Sequence, residues 1–145
     1  MFGYLYIAEE VIRDNSLKRV PTNFCKIGIT TQKIPAERLR KLQAGNPRQI
    51  RFPHLWIGTT ERIATVEQHV KAKYSSERRL EWIYRPSVDV KNYVELLIDD
   101  VPDIFSVPNR YLPYTASSYG QCVFGNENKD TTAIYFEAKE LADKI

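Results

Sequence analysis

Cysteine is scarce: Cys25 and Cys122 are the two in 145 residues. So separated a pair makes neither a zinc site nor a disulfide framework. No apolar run approaches membrane-spanning length. No GxxxxGK pattern occurs, and Gly120 and Gly125 make no phosphate loop, which argues against a nucleoside-triphosphate enzyme. Internal repeats and low-complexity tracts are also missing. Neither sign of charge dominates. The formal net charge is +3 and the pI about 8.8, which permits a nucleic-acid partner without demanding one. Met1-Phe2-Gly3 runs straight into a strand-like tract with no signal peptide. The expectation is therefore a cytoplasmic protein with reduced thiols and no membrane association.

What is present is enough apolar sequence for a real core, in one domain or in a domain with an appendage. Two short tracts stand out, Gly3-Tyr4-Leu5-Tyr6-Ile7 and Lys26-Ile27-Gly28-Ile29-Thr30. Both read as strands. Alternation puts Leu5 and Ile7 on one face of the first, with Tyr4 and Tyr6 on the other. In the second, Cys25, Ile27 and Ile29 oppose Lys26, Gly28 and Thr30. Paired as a hairpin, the tracts bury their apolar faces. They then present tyrosine hydroxyl, lysine and bare backbone, a surface suited either to a phosphodiester or simply to water.

The strands are expected over residues 2–8 and 24–30, joined by a long polar loop, with a third over 51–58. Pro35 opens a helix that Gly45 ends. Thr59 or Thr60 caps a second helix running to about Tyr74. A third covers residues 88–99. Proline punctuates the chain from residue 101. Residues 1–100 therefore read as a core, and 101–145 as an appendage with a small hairpin (122–124 with 131–136) and a short helix.

Two charges fall where apolar residues belong. Arg38 lies on the line of Ile34 and Leu42, and Glu67 lies between Ile63 and Val70 on the second helix. A carboxylate on a buried helix face costs several kcal/mol unless a cation or hydrogen bonds offset it. Glu67 and Arg38 could offset each other, or a metal ion could serve. Arg38, Arg40, Lys41, Arg48 and Arg51 also form a local basic cluster.

In this order the residues resemble the GIY-YIG nuclease superfamily, in the phage and bacterial branch whose second tract reads lysine-isoleucine-glycine. The resemblance spans about residues 3–84. It rests on the two tracts, on Glu37-Arg38-Leu39, and on Leu42-Gln43-Ala44-Gly45-Asn46-Pro47. Ala64 and Glu67 followed by Lys71 and Tyr74 also belong to it. So does Arg79-Leu80-Glu81-Trp82-Ile83, which matches a family signature with one residue inserted. The resemblance implies an α+β core, a small three-stranded antiparallel sheet flanked by helices. It implies a metal-dependent DNA endonuclease with one magnesium or manganese ion. Tyr6 would be the activated hydroxyl or the group that positions and deprotonates water, and Lys26 on the same sheet face, or the metal, could lower its pKa. Arg38 would contact the scissile phosphate and Glu67 would bind the metal. Tyr4, Gly28, Arg40, Lys41, Arg48 and Arg51 would meet the substrate.

Three departures keep a second reading open. Lys26 replaces a family tyrosine, and Leu42 and Lys71 stand where histidines are frequent. The alternative is a weak or inactive nuclease-fold module that binds DNA or a protein partner, for example a phage factor acting on a host enzyme. A single core of this type cuts one strand at a time, so cleaving duplex requires a homodimer or sequential nicks. Trp56 and Trp82 read as core residues.

Overall fold

The computed structural model describes residues 2–13, 15–32, 34–115, 137–141 and 143–144. Among them the elements run β1 (Phe2–Arg13), β2 (Arg19–Thr30), α1 (Pro35–Gln43), β3 (Gln49–Thr59), α2 (Thr60–Lys73), β4 (Arg78–Arg79), β5 (Trp82–Ile83), α3 (Ser87–Ile98), β6 (Ile104–Ser106) and β7 (Tyr114–Thr115). The mixed α+β class and the antiparallel sheet flanked by helices agree with expectation. The strand count does not: seven strands are described, in the order β4-β5-β2-β1-β3-β6 with β7 also on β3. Three long strands still form the centre. The additional strands are two or three residues long, too short to register as periodic tracts.

β1 and β2 each run twelve residues, well into the tract read as a loop. Glu9 and Glu10 had marked that tract as polar, yet both are buried. Alternation sends them to opposite faces, where each finds a cation. Glu9 takes Arg51 of β3 at 2.7 Å and accepts from the Ser87 hydroxyl at the start of α3. Glu10 takes Arg48 at 3.3 Å and Asn46 Nδ2 at 2.9 Å.

The sheet has a core on each face. On one, Tyr4, Tyr6 and Ala8 pack with Leu39 of α1 and with Ile50, Phe52, Leu55 and Ile57 of β3. On the other, Leu5, Ile7 and Ile27 pack with α2 and α3. Each such side chain contributes about 1.5–3 kcal/mol when fully buried. A bulge explains how Phe52 and Leu55 share a face. Ile7 faces His54 and Glu9 faces Arg51, so β3 has one residue too many, at Pro53.

Helix boundaries follow local chemistry. Pro35 starts α1, and Gly45 leaves it at φ +76°. The Thr59 hydroxyl accepts from Arg62 N at the start of α2. The Leu42–Pro47 tract has a structural task. Gln43 Nε2 donates to Arg48 O (2.7 Å), and Gln43 Oε1 accepts from Ile50 N (2.7 Å). One side chain thus ties the end of α1 to the start of β3. Beyond residue 101, β6 and β7 both add to β3, while Val107, Tyr114 and Ala138 join the tyrosine-side core. The hairpin expected over 122–124 and 131–136, like Cys122, lies outside the described residues; residues 137–141 are helical.

Candidate nucleic-acid interface and catalytic rim

Tyr6 on β1 lies directly opposite Gly28 on β2. Its ring crosses over the glycine so closely that a Cβ there would collide with the hydroxyl end. Only glycine leaves room for that approach. Beyond Gly28 the sheet is open, because β5 pairs with β2 at Cys25 alone. Tyr6 itself is nonetheless buried, 1 % exposed and stacked on Phe52, so its hydroxyl lies beneath that open rim. There Arg38 of α1 donates from Nε to Tyr6 Oη at 3.2 Å.

Burial holds the Tyr6 phenol above its ordinary pKa. The Arg38 hydrogen bond and charge pull it down, while the Glu67 and Glu81 charges push it up. Tyr6 is thus a neutral phenol at neutral pH. Lys26 is not among the charges acting on it, contrary to the expectation that this lysine lowers the tyrosine's pKa. Lys26 is itself displaced downward, chiefly by burial. Arg38 and Lys71 lower it further, against an opposing pull from Glu81. Of the two groups, the amine is moved toward acting as a base and the phenol away from it.

Glu67 comes to the same rim from α2. Burial raises its carboxyl above the usual range and Glu81 adds to that, while Lys71 lowers it. Among the described residues Glu67 and Arg38 form no ion pair. Each has its own partner, Lys71 at 3.9 Å for Glu67 and Tyr6 for Arg38. Lys71 Nζ also lies 3.5 Å from Glu81, in the turn between β4 and β5. Sequence reading treated Lys71 as a lost histidine and did not single out Glu81. The i, i+4 spacing of Glu67 and Lys71 was the available signal; the position of Glu81 depends on the β4–β5 fold-back.

Two open grooves flank the rim. One, of about 540 Å³, has Lys26, Asn46, Arg48, Leu42 and Trp82 in its wall. The other, of about 380 Å³, is lined by Thr30, Thr31, Gln32, Arg38 and Lys41. Arg40 and Lys41 are exposed on α1. Trp56 is buried as expected, whereas Trp82 is only partly covered and reaches the larger groove.

Two expected substrate contacts are corrected. Tyr4 is fully buried, because it stands opposite Thr30 and packs edge-on to Phe2 inside the core. Arg51 points to the other face of the sheet, where its Nε is engaged by Glu9. The remaining titratable groups lie elsewhere. His69 is exposed, with Nδ1 2.9 Å from Thr65 O. His54 is pushed down to about 4 by burial and the Lys91 charge. Burial pushes the Cys25 thiol up to about 12.

Residues 3–102 match the T5orf172 domain. The chain belongs to that family. The match replaces the GIY-YIG assignment, whose short motifs this chain carries without a match to that superfamily. The T5orf172 domain is a nuclease-like, DNA-binding family, consistent with a role on DNA. No curated protein and no solved structure matches the chain significantly.

Glu67 and Glu81 are the carboxylates of this rim. No group of three metal-ligating side chains gathers among the described residues. Magnesium needs no such cage, since it is usually held by one or two carboxylates with water and substrate phosphate. Glu67 is half-buried with a raised pKa, and Glu81 reaches the same lysine. The Lys71 ammonium stands between these two carboxylates. No helix among the described residues is long and apolar enough to cross a membrane.

Proposed function

We propose that this T5orf172-family protein is a DNA endonuclease that hydrolyses phosphodiester bonds at the rim of Tyr6, Lys26, Arg38 and Glu67. The observation that carries the reading is the Arg38–Tyr6 hydrogen bond over Gly28. It fixes, on a buried neutral phenol, a guanidinium that lines one of two grooves bearing cations.

Arg38 gives Nε to Tyr6, which leaves its terminal nitrogens for two phosphoryl oxygens of the substrate. Tyr6 Oη accepts that bond from beneath the groove and so orients the guanidinium toward the phosphate. Water attacks phosphorus, the bond to the departing sugar oxygen breaks, and the water's proton passes to Lys26 Nζ in the fraction of molecules whose amine is unprotonated, a fraction that burial of the lysine increases. A magnesium or manganese ion held by Glu67, with Glu81 beside it, would supply positive charge for the departing oxygen. Arg40, Lys41 and Arg48 would guide the backbone by phosphate contacts.

Lys71 favours a second reading. Its ammonium already stands between the two carboxylates, as it would in a module that binds DNA, or a protein partner, without cutting. Incubation with supercoiled plasmid, in magnesium and in chelator, separates the two. Nicking should require the metal. Arg38→Ala and Glu67→Gln should each lower it by about 100-fold or more, the scale of losing a charge-stabilising group. A parent protein that binds plasmid but leaves it intact in magnesium and manganese would replace the enzyme reading with the binding one.

A further inference from the structure

β4 and β5 form a minimal hairpin, with Arg79 opposite Trp82 and only Leu80 and Glu81 between them. The first loop residue has positive φ, +55°. Two-residue hairpin loops fill that position with glycine, asparagine or aspartate, because a side chain there is strained. Here it is leucine, and the leucine is 85 % exposed. The fold gains neither packing nor backbone ease from this residue. It is also the residue by which the Arg79–Ile83 tract exceeds the shorter signature noted in the sequence.

The hairpin is held firmly beneath its tip. Ile83 is fully buried and pairs with Cys25. Trp82 packs edge-on to Phe24. Tyr84 N donates to Glu77 O at 2.8 Å, and Arg85 grips Glu77 through two bonds of 2.7 and 3.0 Å. The tip is tied to the candidate site as well, through Glu81 and Lys71. Arg78 and Arg79 stand directly before the leucine, and neither forms an ion pair among the described residues.

We propose that Leu80 is a wedge that enters between stacked bases of duplex DNA beside the catalytic rim, steered by Arg78 and Arg79. The proposal rests on the DNA reading above and extends it. An apolar side chain on a hairpin tip that follows two cations, with the one tip carboxylate, Glu81, engaged by Lys71, matches the wedge by which minor-groove proteins unstack a base step. The arginines meet the phosphates, and the strained backbone fixes the leucine outward. Unstacking next to Arg38 would expose a kinked phosphodiester to the rim.

The test uses the full chain and a duplex carrying several 2-aminopurine bases, kept uncut in chelator. Binding is followed by anisotropy and unstacking by 2-aminopurine fluorescence. The parent should bind and raise the fluorescence. Leu80→Ala and Leu80→Gly should still bind and lose the rise. Leu17→Ala should keep it. Leu17 is the matched control, also exposed and at positive φ, but at the far tip of the β1–β2 hairpin. Binding by the parent without a rise, or a rise that survives in Leu80→Ala, overturns the wedge and leaves the DNA reading standing. No binding at all overturns both. A collapse of thermal stability in Leu80→Gly would make the leucine structural and likewise overturn the proposal.

Discussion

At the scale of single residues, the site depends on one missing Cβ. Gly28→Ala places a methyl group where the Tyr6 hydroxyl and ring edge lie. The ring must move and the Arg38 bond breaks with it. The expected cost is about 1–3 kcal/mol, the usual scale of overpacking. A denaturant melt checks this, and nicking should fall together with stability. Lys26 gives a second residue-level prediction. Its amine loses its proton below the ordinary lysine value, so a rate that needs the neutral amine rises with pH and levels off early. Lys26→Arg remains charged at every accessible pH. The alkaline rise in a pH–rate profile should therefore vanish in that variant.

At the scale of elements, buried carboxylates fasten the strands to their neighbours. Glu9 joins β1 to β3 through Arg51 and to α3 through Ser87. Arg51→Ala leaves that carboxylate buried without its cation, a loss of about 3–5 kcal/mol for a broken buried pair. DNA affinity should be unchanged, because Arg51 faces away from the rim. Chemical denaturation alongside a binding titration distinguishes this from a phosphate contact, whose removal would weaken binding and spare stability. Glu67 on α2 is the opposite case. Its carboxyl is raised in the fold, so its ionisation opposes folding. The penalty is absent below the unfolded carboxylate value near 4.3 and appears as pH rises through the higher folded value. Glu67→Gln in chelator should match the parent in acid and be more stable than it at neutral pH, as read by thermal melting. Destabilisation instead would mean that Lys71 depends on Glu67 as a structural partner.

At the scale of the whole molecule, net charge is small, so attraction to DNA must come from where the cations lie. Arg38 and Lys41 line one groove and Lys26 and Arg48 the other. Binding should weaken steeply with salt, and removing one phosphate contact should reduce the slope of log affinity against log salt by about one. Lys41→Ala should do this and Arg51→Ala should not. A salt titration of both variants checks whether the rim face, and not the α3 face, carries the backbone.

Local chemistry in the chain was sufficient to determine strand parity, the proline start and glycine end of α1, the threonine cap of α2, and the two helix charges out of place. Each depends on neighbours within a few residues, so each is legible in order along the chain. The short motifs were also legible, but they pointed to the wrong superfamily, because brief tracts carry less information than a match across residues 3–102. The tertiary structure decided the rest. Strands of two or three residues exist only because β2 offers an edge to β5, β5 to β4, and β3 to β6 and β7. Glu9 and Glu10 read as loop residues until β3 and the turn before it bring Arg51, Arg48 and Asn46 to them. Tyr4 and Tyr6 share one face and are equivalent by parity. Both are buried, and only the strand register separates them: Thr30 stands opposite Tyr4, whereas Gly28 opposite Tyr6 leaves room for its ring to cross β2 and its hydroxyl to meet Arg38.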